Sequence, residues 1–240
     1  MNNNNYFIYK NQKIFLNYKN TSLKTFDEIL FLEYFYNYFK DFKTAINIID
    51  CGGNIGSYSI YFSKFINCKK IYSFEPHPEI FDYLKDNIKL NNCENINIYN
   101  FGLSNQNQKI NLISHIPGNK GAFWFWYSNE SHETPSEIGY KDHENIENSN
   151  IIIDSRQLDY FNFENINFIK IDVEGMEIEV LNGAKKLINN YKPLLYIEGS
   201  KKTFIDIEKW IMENNYIRIE KDLFKSHHYL VKYNDNIPNR

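Results

Sequence analysis

Asp50-Cys51-Gly52-Gly53-Asn54-Ile55-Gly56 is the stretch whose residue types and spacing best suit it to holding a small molecule. It lies between a short, apolar, β-branched run, Ala45–Asp50, and a helical pattern, Ser57–Phe65. Gly52 and Gly56 permit tight turning and close approach of backbone to a ligand. The helix that opens at Ser57 offers N–H groups with no intrahelical acceptor. Aligned from Gly52 on the GxGxxG dinucleotide fingerprint, the second glycine becomes Asn54 and the third Ser57. A side chain at the second position keeps backbone away from a pyrophosphate, which counts against a nicotinamide or flavin dinucleotide. No GK[ST] follows, so this is not a Walker loop. A smaller cationic ligand without phosphate fits better. Asp50 then lies near its ammonium or sulfonium, and the amides of Gly52, Gly53, Asn54 and Gly56 receive its carboxylate.

Two further turns support this loop. Ser73-Phe74-Glu75-Pro76 ends the next strand pattern. One carboxylate there has two oxygens for the two adjacent hydroxyls of a ribose. Asn100-Phe101-Gly102-Leu103-Ser104 ends the third. In a doubly wound fold that turn passes beside the base, so backbone at Phe101, Gly102 and Leu103 and the Ser104 hydroxyl are candidates for reading an adenine. The plainer reading is a glycine-rich turn, a solvated surface Glu and an ordinary strand-to-loop connection.

The elements that must position these residues alternate. Strand patterns over Ala45–Asp50, Lys70–Phe74, Asn95–Asn100, Ile166–Ile171 and Pro193–Ile197 are short and apolar. Helical patterns cover Ser57–Phe65, Pro78–Leu90, Glu177–Asn189 and Phe204–Asn214, with Pro78 suited to a first turn. This alternation implies βαβ units and a mostly parallel sheet with right-handed crossovers. Ile217–Glu220 and His228–Lys232 are joined by a short connection and should pair antiparallel at an edge. Residues 1–44 form an N-terminal extension, with a hairpin over Tyr6–Tyr18 and an aromatic-rich helix over Phe26–Phe39. Residues 105–150 interrupt the alternation as a long irregular insertion, a feature usually functional or disordered.

Composition narrows the class. The 240 residues are 42% hydrophobic, enough for one sizeable core. A net charge of -3 supplies no basic excess for a run of phosphates, so no nucleic-acid partner is expected. Cys51, Cys68 and Cys93 match neither a disulfide framework nor a CxxC metal site and read as free thiols. No apolar run approaches the roughly 20 residues of a membrane helix, and the start lacks signal-peptide character, so a cytoplasmic protein with no membrane span is expected. Abundant Asn, Lys, Ile, Tyr and Phe follow an AT-rich coding bias.

With these pieces together, residues 45–233 resemble the FkbM family of S-adenosylmethionine-dependent methyltransferases. The resemblance rests on DCGGNIGSYS (50–59), SFEPHPEIFDYLKDNIKLNN (73–92), the NFGLS turn, FIKIDVEGMEIEVLNGAKKLI (168–188) and PLLYIE (193–198). KIDVEG with the ExEVLxGA after it is the most diagnostic part. It implies a Rossmann-like class I methyltransferase fold, an α/β arrangement on a mostly parallel seven-stranded sheet with an antiparallel edge strand. It implies S-adenosyl-L-methionine as the cofactor, with Asp50, Gly52, Gly53, Asn54, Gly56, Ser57, Glu75, Pro76 and Phe101–Ser104 around it. It also implies transfer to a hydroxyl, often of a sugar, a surface glycan or a natural product. Residues 45–240 would then be the methyltransferase domain. The family usually shows Ala where Gly53 stands.

Under that resemblance the acidic residues after the fourth strand acquire roles. Lys170, Asp172 and Glu174 alternate on one face of the strand pattern. Methyl transfer to an alcohol needs alignment of oxygen, carbon and sulfur and removal of the hydroxyl proton. Asp172 is assigned as base or metal ligand, Lys170 as its electrostatic partner, and Glu198 as a substrate or metal contact. The plain alternatives are a strand-end ion pair for Lys170 and helix capping for Asp172. Glu177 and Glu179 read as a helix-start charge preference. A divalent metal on Asp172, Glu198 and His227 or His228 is compatible with the donor types, but the spacing does not demand it.

The insertion is expected to carry substrate choice. Trp124 and Trp126 could stack on a sugar, with Glu174 as a further contact; core filling is the equal alternative. His115, His132 and His143 could contact hydroxyls, with solvated side chains as the favoured reading. The expected partner is a small-molecule or glycan substrate, and a homo-oligomer is compatible with the sequence. Competing readings are methylation of another small molecule, of nucleic acid or of protein, or a non-catalytic binding module. The intact loop, Glu75 and KIDVEG argue against the last.

Overall fold

The structure is a computed structural model that describes residues 5–16, 26–114, 123–126, 147–199, 202–220 and 228–235. The alternating core elements appear where the periodicity places them. Strands β1 (Asn5–Tyr9) and β2 (Gln12–Leu16) form an antiparallel hairpin and are followed by helix α1 (Phe26–Phe39). Next come β3 (Ile46–Cys51), α2 (Ser57–Phe65), β4 (Cys68–Phe74), α3 (Pro78–Leu90) and β5 (Ile96–Tyr99). Then follow β6 (Gly102–Leu103), β7 (Gln108–Ser114), β8 (Phe123–Trp126), β9 (Glu147–Arg156) and a single 3-10 turn over Leu158–Phe161. The chain continues through β10 (Ile166–Ile171), α4 (Glu177–Gly183), α5 (Lys185–Tyr191), β11 (Leu194–Glu198), α6 (Phe204–Glu213), β12 (Tyr216–Glu220) and β13 (His228–Tyr233).

Seven strands form the main sheet in the order β12-β13-β11-β10-β3-β4-β5. β3 pairs in parallel with β4, and β4 with β5. β13 runs antiparallel to both β11 and β12, giving the expected antiparallel pair at one margin. The chain divides into two compact units, Met1–Asn100 with Asn165–Ile169, and Phe101–Glu164 with Lys170–Arg240.

In the first unit, Phe35 and Phe39 of α1, Phe62 of α2 and Phe168 of β10 are buried together, with ring centroids 5.2 to 5.7 Å apart in the Phe35–Phe62, Phe35–Phe168, Phe39–Phe168 and Phe62–Phe168 pairs. The hairpin is fastened by Asn91, whose amide accepts from Phe15 N–H at 3.0 Å and donates to Phe15 C=O at 2.7 Å. α3 begins with Pro78 in its first turn, as its sequence suits it to, and is capped by His77, which accepts Ile80 N–H.

In the second unit, the interruption is less irregular than its composition suggests. β6, β9, β7 and β8 form a four-stranded sheet. Ile110, Leu112 and Ile153 are buried in it. The single helix expected over Glu177–Asn189 is two. α4 ends at Gly183, and α5 starts afresh with Asp159 accepting both Lys186 N–H and Leu187 N–H at 2.9 Å. A carboxylate brought from elsewhere in the chain caps α5, and local periodicity cannot reveal it. Among the described residues no helix is long and apolar enough to cross a membrane.

Candidate functional site

In the first unit the glycine loop is a self-bonded turn. Gly52 (φ 82°), Asn54 (φ 48°) and Gly56 (φ 97°) lie in the left-handed region. Gly52 and Gly53 N–H both donate to Phe74 C=O, at 3.0 and 2.7 Å. Gly56 N–H donates to Gly53 C=O at 2.8 Å, and Ile55 N–H to Asn54 Oδ1 at 2.8 Å. The loop amides expected to receive a ligand carboxylate are thus used within the chain. Amides without an intrahelical acceptor begin instead at the first turn of α2, at Ser57.

Glu75 is the best-defined polar group of this unit. It is 8% exposed. Its Oε2 accepts Asn54 N–H at 2.9 Å and its Oε1 accepts His77 N–H at 2.8 Å. Two fixed amides therefore orient the carboxylate. Asn100 Nδ2 holds the same turn by donating to Glu75 C=O at 2.8 Å and Pro76 C=O at 3.1 Å. Asp50 is fully buried and accepts the Ser59 hydroxyl at 2.6 Å, bracing the end of β3 against α2.

Gly53 stands where the resemblance leads one to expect Ala. A Cβ there would overlap the Ser73 hydroxyl. Ser73 is fully buried, and its Oγ has no hydrogen-bond partner among the described residues. The hydroxyl of this chain fills the space a methyl would take. Asn87, which the sequence reading passed over, donates to Ile55 C=O at 2.8 Å from a buried position in α3. Its spacing from Ile80 and Leu84 put it on the apolar face, and a polar residue there was the available signal.

In the second unit, Lys170 and Asp172 pair as expected, Nζ to Oδ2 at 3.3 Å. The lysine is 1% exposed, whereas the Asp172 side chain is 27% exposed. The cation is interior and the carboxylate reaches outward. Glu174 (φ 52°) is exposed and Gly175 has φ 106°. Glu177, read from the sequence as a charge preference, is only 1% exposed and accepts Gly175 N–H at 2.8 Å. Burial pushes its carboxyl up to about 7; hydrogen bonds from Gly175 N–H and the Thr203 hydroxyl oppose the rise, and the Asp172 charge adds to it. Only an adjacent burial pattern, invisible in sequence, marks it out.

Glu198 and His228 are cross-strand partners, with Oε2 3.8 Å from Nδ1. The same Nδ1 is 2.8 Å from the buried Tyr196 hydroxyl. Among the described residues no group of three or more His, Cys, Asp or Glu could hold a metal ion. Phe101 meets Phe161 edge-on at 5.9 Å and lies 5.3 Å beneath the Arg156 guanidinium. Gly102 and Leu103 pair in parallel with Ser155 and Arg156. The Ser104 hydroxyl, expected to read a base, is buried and bonded to Gln106, donating to its C=O at 3.0 Å and accepting its N–H at 3.2 Å. Trp124 and Trp126 lie in β8, their backbones opposite Ile113 and Asn111. His115, His132, His143 and His227 lie outside the described residues.

Comparison with known proteins gives these features a common frame. "Methyltransferase 1" of Beauveria bassiana (strain ARSEF 2860) is 27% identical over 148 residues, 57% of this chain and 57% of that protein. "Methyltransferase sdnD" of Sordaria araneosa is 28% identical over 154 residues, 57% of this chain and 60% of that protein. The chain therefore spans less than two thirds of these relatives' length. The crystal structure of methyltransferase FkbM from Methylobacillus flagellatus KT shares the fold, with a TM-score of 0.54 at 17% identity, over 84% of this chain and 50% of that one. The methyltransferase FkbM domain model matches residues 50–218, from the glycine loop to β12, and the chain belongs to that family.

Proposed function

We propose that the protein is an S-adenosylmethionine-dependent O-methyltransferase whose acceptor is a hydroxyl of a sugar, sugar-nucleotide or surface glycan. The observation that carries the cofactor is Glu75. A buried carboxylate oriented by two backbone amides is preorganised to accept two adjacent hydroxyls. A ribose presents such a pair, and Asn54 stands where a pyrophosphate loop needs glycine. The first turn of α2, from Ser57, would face the ligand's carboxylate. The acceptor class rests on the habit of the family.

S-adenosylmethionine supplies an electrophilic methyl group on a sulfonium when bound. The protein's own task is to align the acceptor oxygen and remove its proton. When the methyl group is transferred to the acceptor oxygen, the Asp172 carboxylate would take up the hydroxyl proton. Lys170 holds that carboxylate at 3.3 Å from the interior side. The products are a methyl ether, S-adenosylhomocysteine and a proton that Asp172 returns to water.

Thermal unfolding with S-adenosylhomocysteine, S-adenosylmethionine and NAD tests the cofactor. At a hundredfold excess over Kd the first two should add about 2.7 kcal/mol, raising Tm by roughly 5–11 °C, and NAD should add nothing. A rise with NAD alone would overturn the cofactor. Nucleoside-diphosphate sugars and p-nitrophenyl glycosides, with S-adenosylhomocysteine release as readout, test the acceptor. Turnover only with non-sugar alcohols would move the substrate to another small molecule or natural product.

A further inference from the structure

α4 presents no group to a reacting atom under this mechanism, yet it is built around a specific constraint. Gly183 occupies its last position. The φ of Gly183 is not in the positive region, so its backbone does not require glycine. In a helix, glycine costs about 1 kcal/mol relative to alanine. The reason for it lies in what it touches. A Cβ at 183 would overlap the Ser104 carbonyl oxygen, and would lie 3.0 Å from that carbonyl carbon and 3.4 Å from Asn105 Cα. These atoms are backbone, so no rotamer change relieves the crowding.

Ser104 has little freedom to retreat. Its N–H donates to Arg156 C=O at 3.0 Å, and its hydroxyl is bonded twice to the Gln106 backbone. Two residues earlier, a Cβ on Gly102 would come within 2.8 Å of Ile153 Cδ1. The Phe101–Ser104 turn is thus held by β9 and by its own hydrogen bonds, and α4 rests directly on its end.

We propose that Gly183 is a positioning residue for the cofactor: by seating α4 on the Ser104 carbonyl it fixes the Phe101–Ser104 turn, and with it the affinity for the adenosine part of S-adenosylmethionine. This rests on the assignment of that turn to the adenine. The glycine of the ExEVLxGA run is then a spacer that lets helix backbone meet turn backbone.

Calorimetric binding of S-adenosylhomocysteine to the full chain tests it, with Leu187→Ala as a control that removes buried apolar volume from α5 without adding atoms near Ser104. Gly183→Ala should bind about tenfold or more weakly, as expected when a contact surface is displaced. Leu187→Ala should lose Tm and keep wild-type affinity. Wild-type affinity in Gly183→Ala overturns the proposal and leaves the cofactor assignment standing. Absence of binding by the wild type removes that assignment and the proposal with it. Hydrogen exchange of the wild-type protein covers the case in which Gly183→Ala does not fold. S-adenosylhomocysteine should slow exchange at residues 181–185 together with 102–106, and slowing at 102–106 alone overturns the proposal.

Discussion

Replacing Glu177 by Gln should change how stability depends on pH, in a direction the structure dictates. The carboxyl is 1% exposed, and burial raises it from 4.5 to about 7. The folded protein therefore holds this proton more tightly than the unfolded chain. Between about pH 4.5 and 7 unfolding releases the proton, so wild-type stability falls as pH rises. The contribution is fully present below the unfolded value and is lost as pH climbs through 7. At 1.36 kcal/mol per unit the whole effect is roughly 3 kcal/mol. Glutamine keeps an oxygen for Gly175 N–H, does not titrate, and so lacks this slope. Urea unfolding of both proteins at pH 5 and pH 8 measures it, since other titrations cancel in the difference. The Gln variant should gain on the wild type by roughly 3 kcal/mol between those two values, on top of any pH-independent offset. A difference that does not change with pH would refute the burial argument. A gain of the opposite sign would mean that Glu177 is a stabilised anion in the folded protein.

Asp172→Asn should lower turnover by about 10²–10⁴-fold while leaving S-adenosylmethionine affinity nearly unchanged. It should also cost on the order of 1–3 kcal/mol in chemical denaturation, because Lys170 remains interior beside a neutral amide; the partial exposure of Asp172 keeps this below the cost of breaking a fully buried pair. Equal losses of turnover and affinity would reassign Asp172 to the cofactor. Gly53→Ala should destabilise by about 1–3 kcal/mol through overlap with the Ser73 hydroxyl. Ser73→Ala should be near neutral alone, since that hydroxyl lacks a partner among the described residues, and should absorb most of the cost of Gly53→Ala. An equal cost of Gly53→Ala in both backgrounds would show that the overlap is not what Gly53 avoids.

Much of this protein is written in local pattern. The bounds of α2 and α3 follow from apolar periodicity, and for α3 from Pro78 as well. β10 follows from a short β-branched run. The loop of Asp50–Gly56 and the acid at 75 are legible because each lies in a strand-end turn whose chemistry is contained in a few consecutive residues. The Lys170–Asp172 pair is legible because residues two apart on a strand share a face.

Tertiary structure decided the rest, because burial and partner identity depend on residues far apart in the chain. The sequence marks Glu177 as a helix-start charge; packing makes it an interior carboxyl. Ser104 carries a hydroxyl suited to reading a base; Gln106 takes it. The glycine loop has amides suited to an anion; Phe74, Glu75, Asn54 and Gly53 accept them, so its value lies in shape and in the orientation of Glu75. The sequence pattern runs a single helix through Gly183; in the fold Gly183 ends α4 and is a point of backbone contact. Which residue types can do chemistry was legible in the sequence. Which of them the fold ties to partners of its own depends on residues distant in the chain, and so is decided only by tertiary structure.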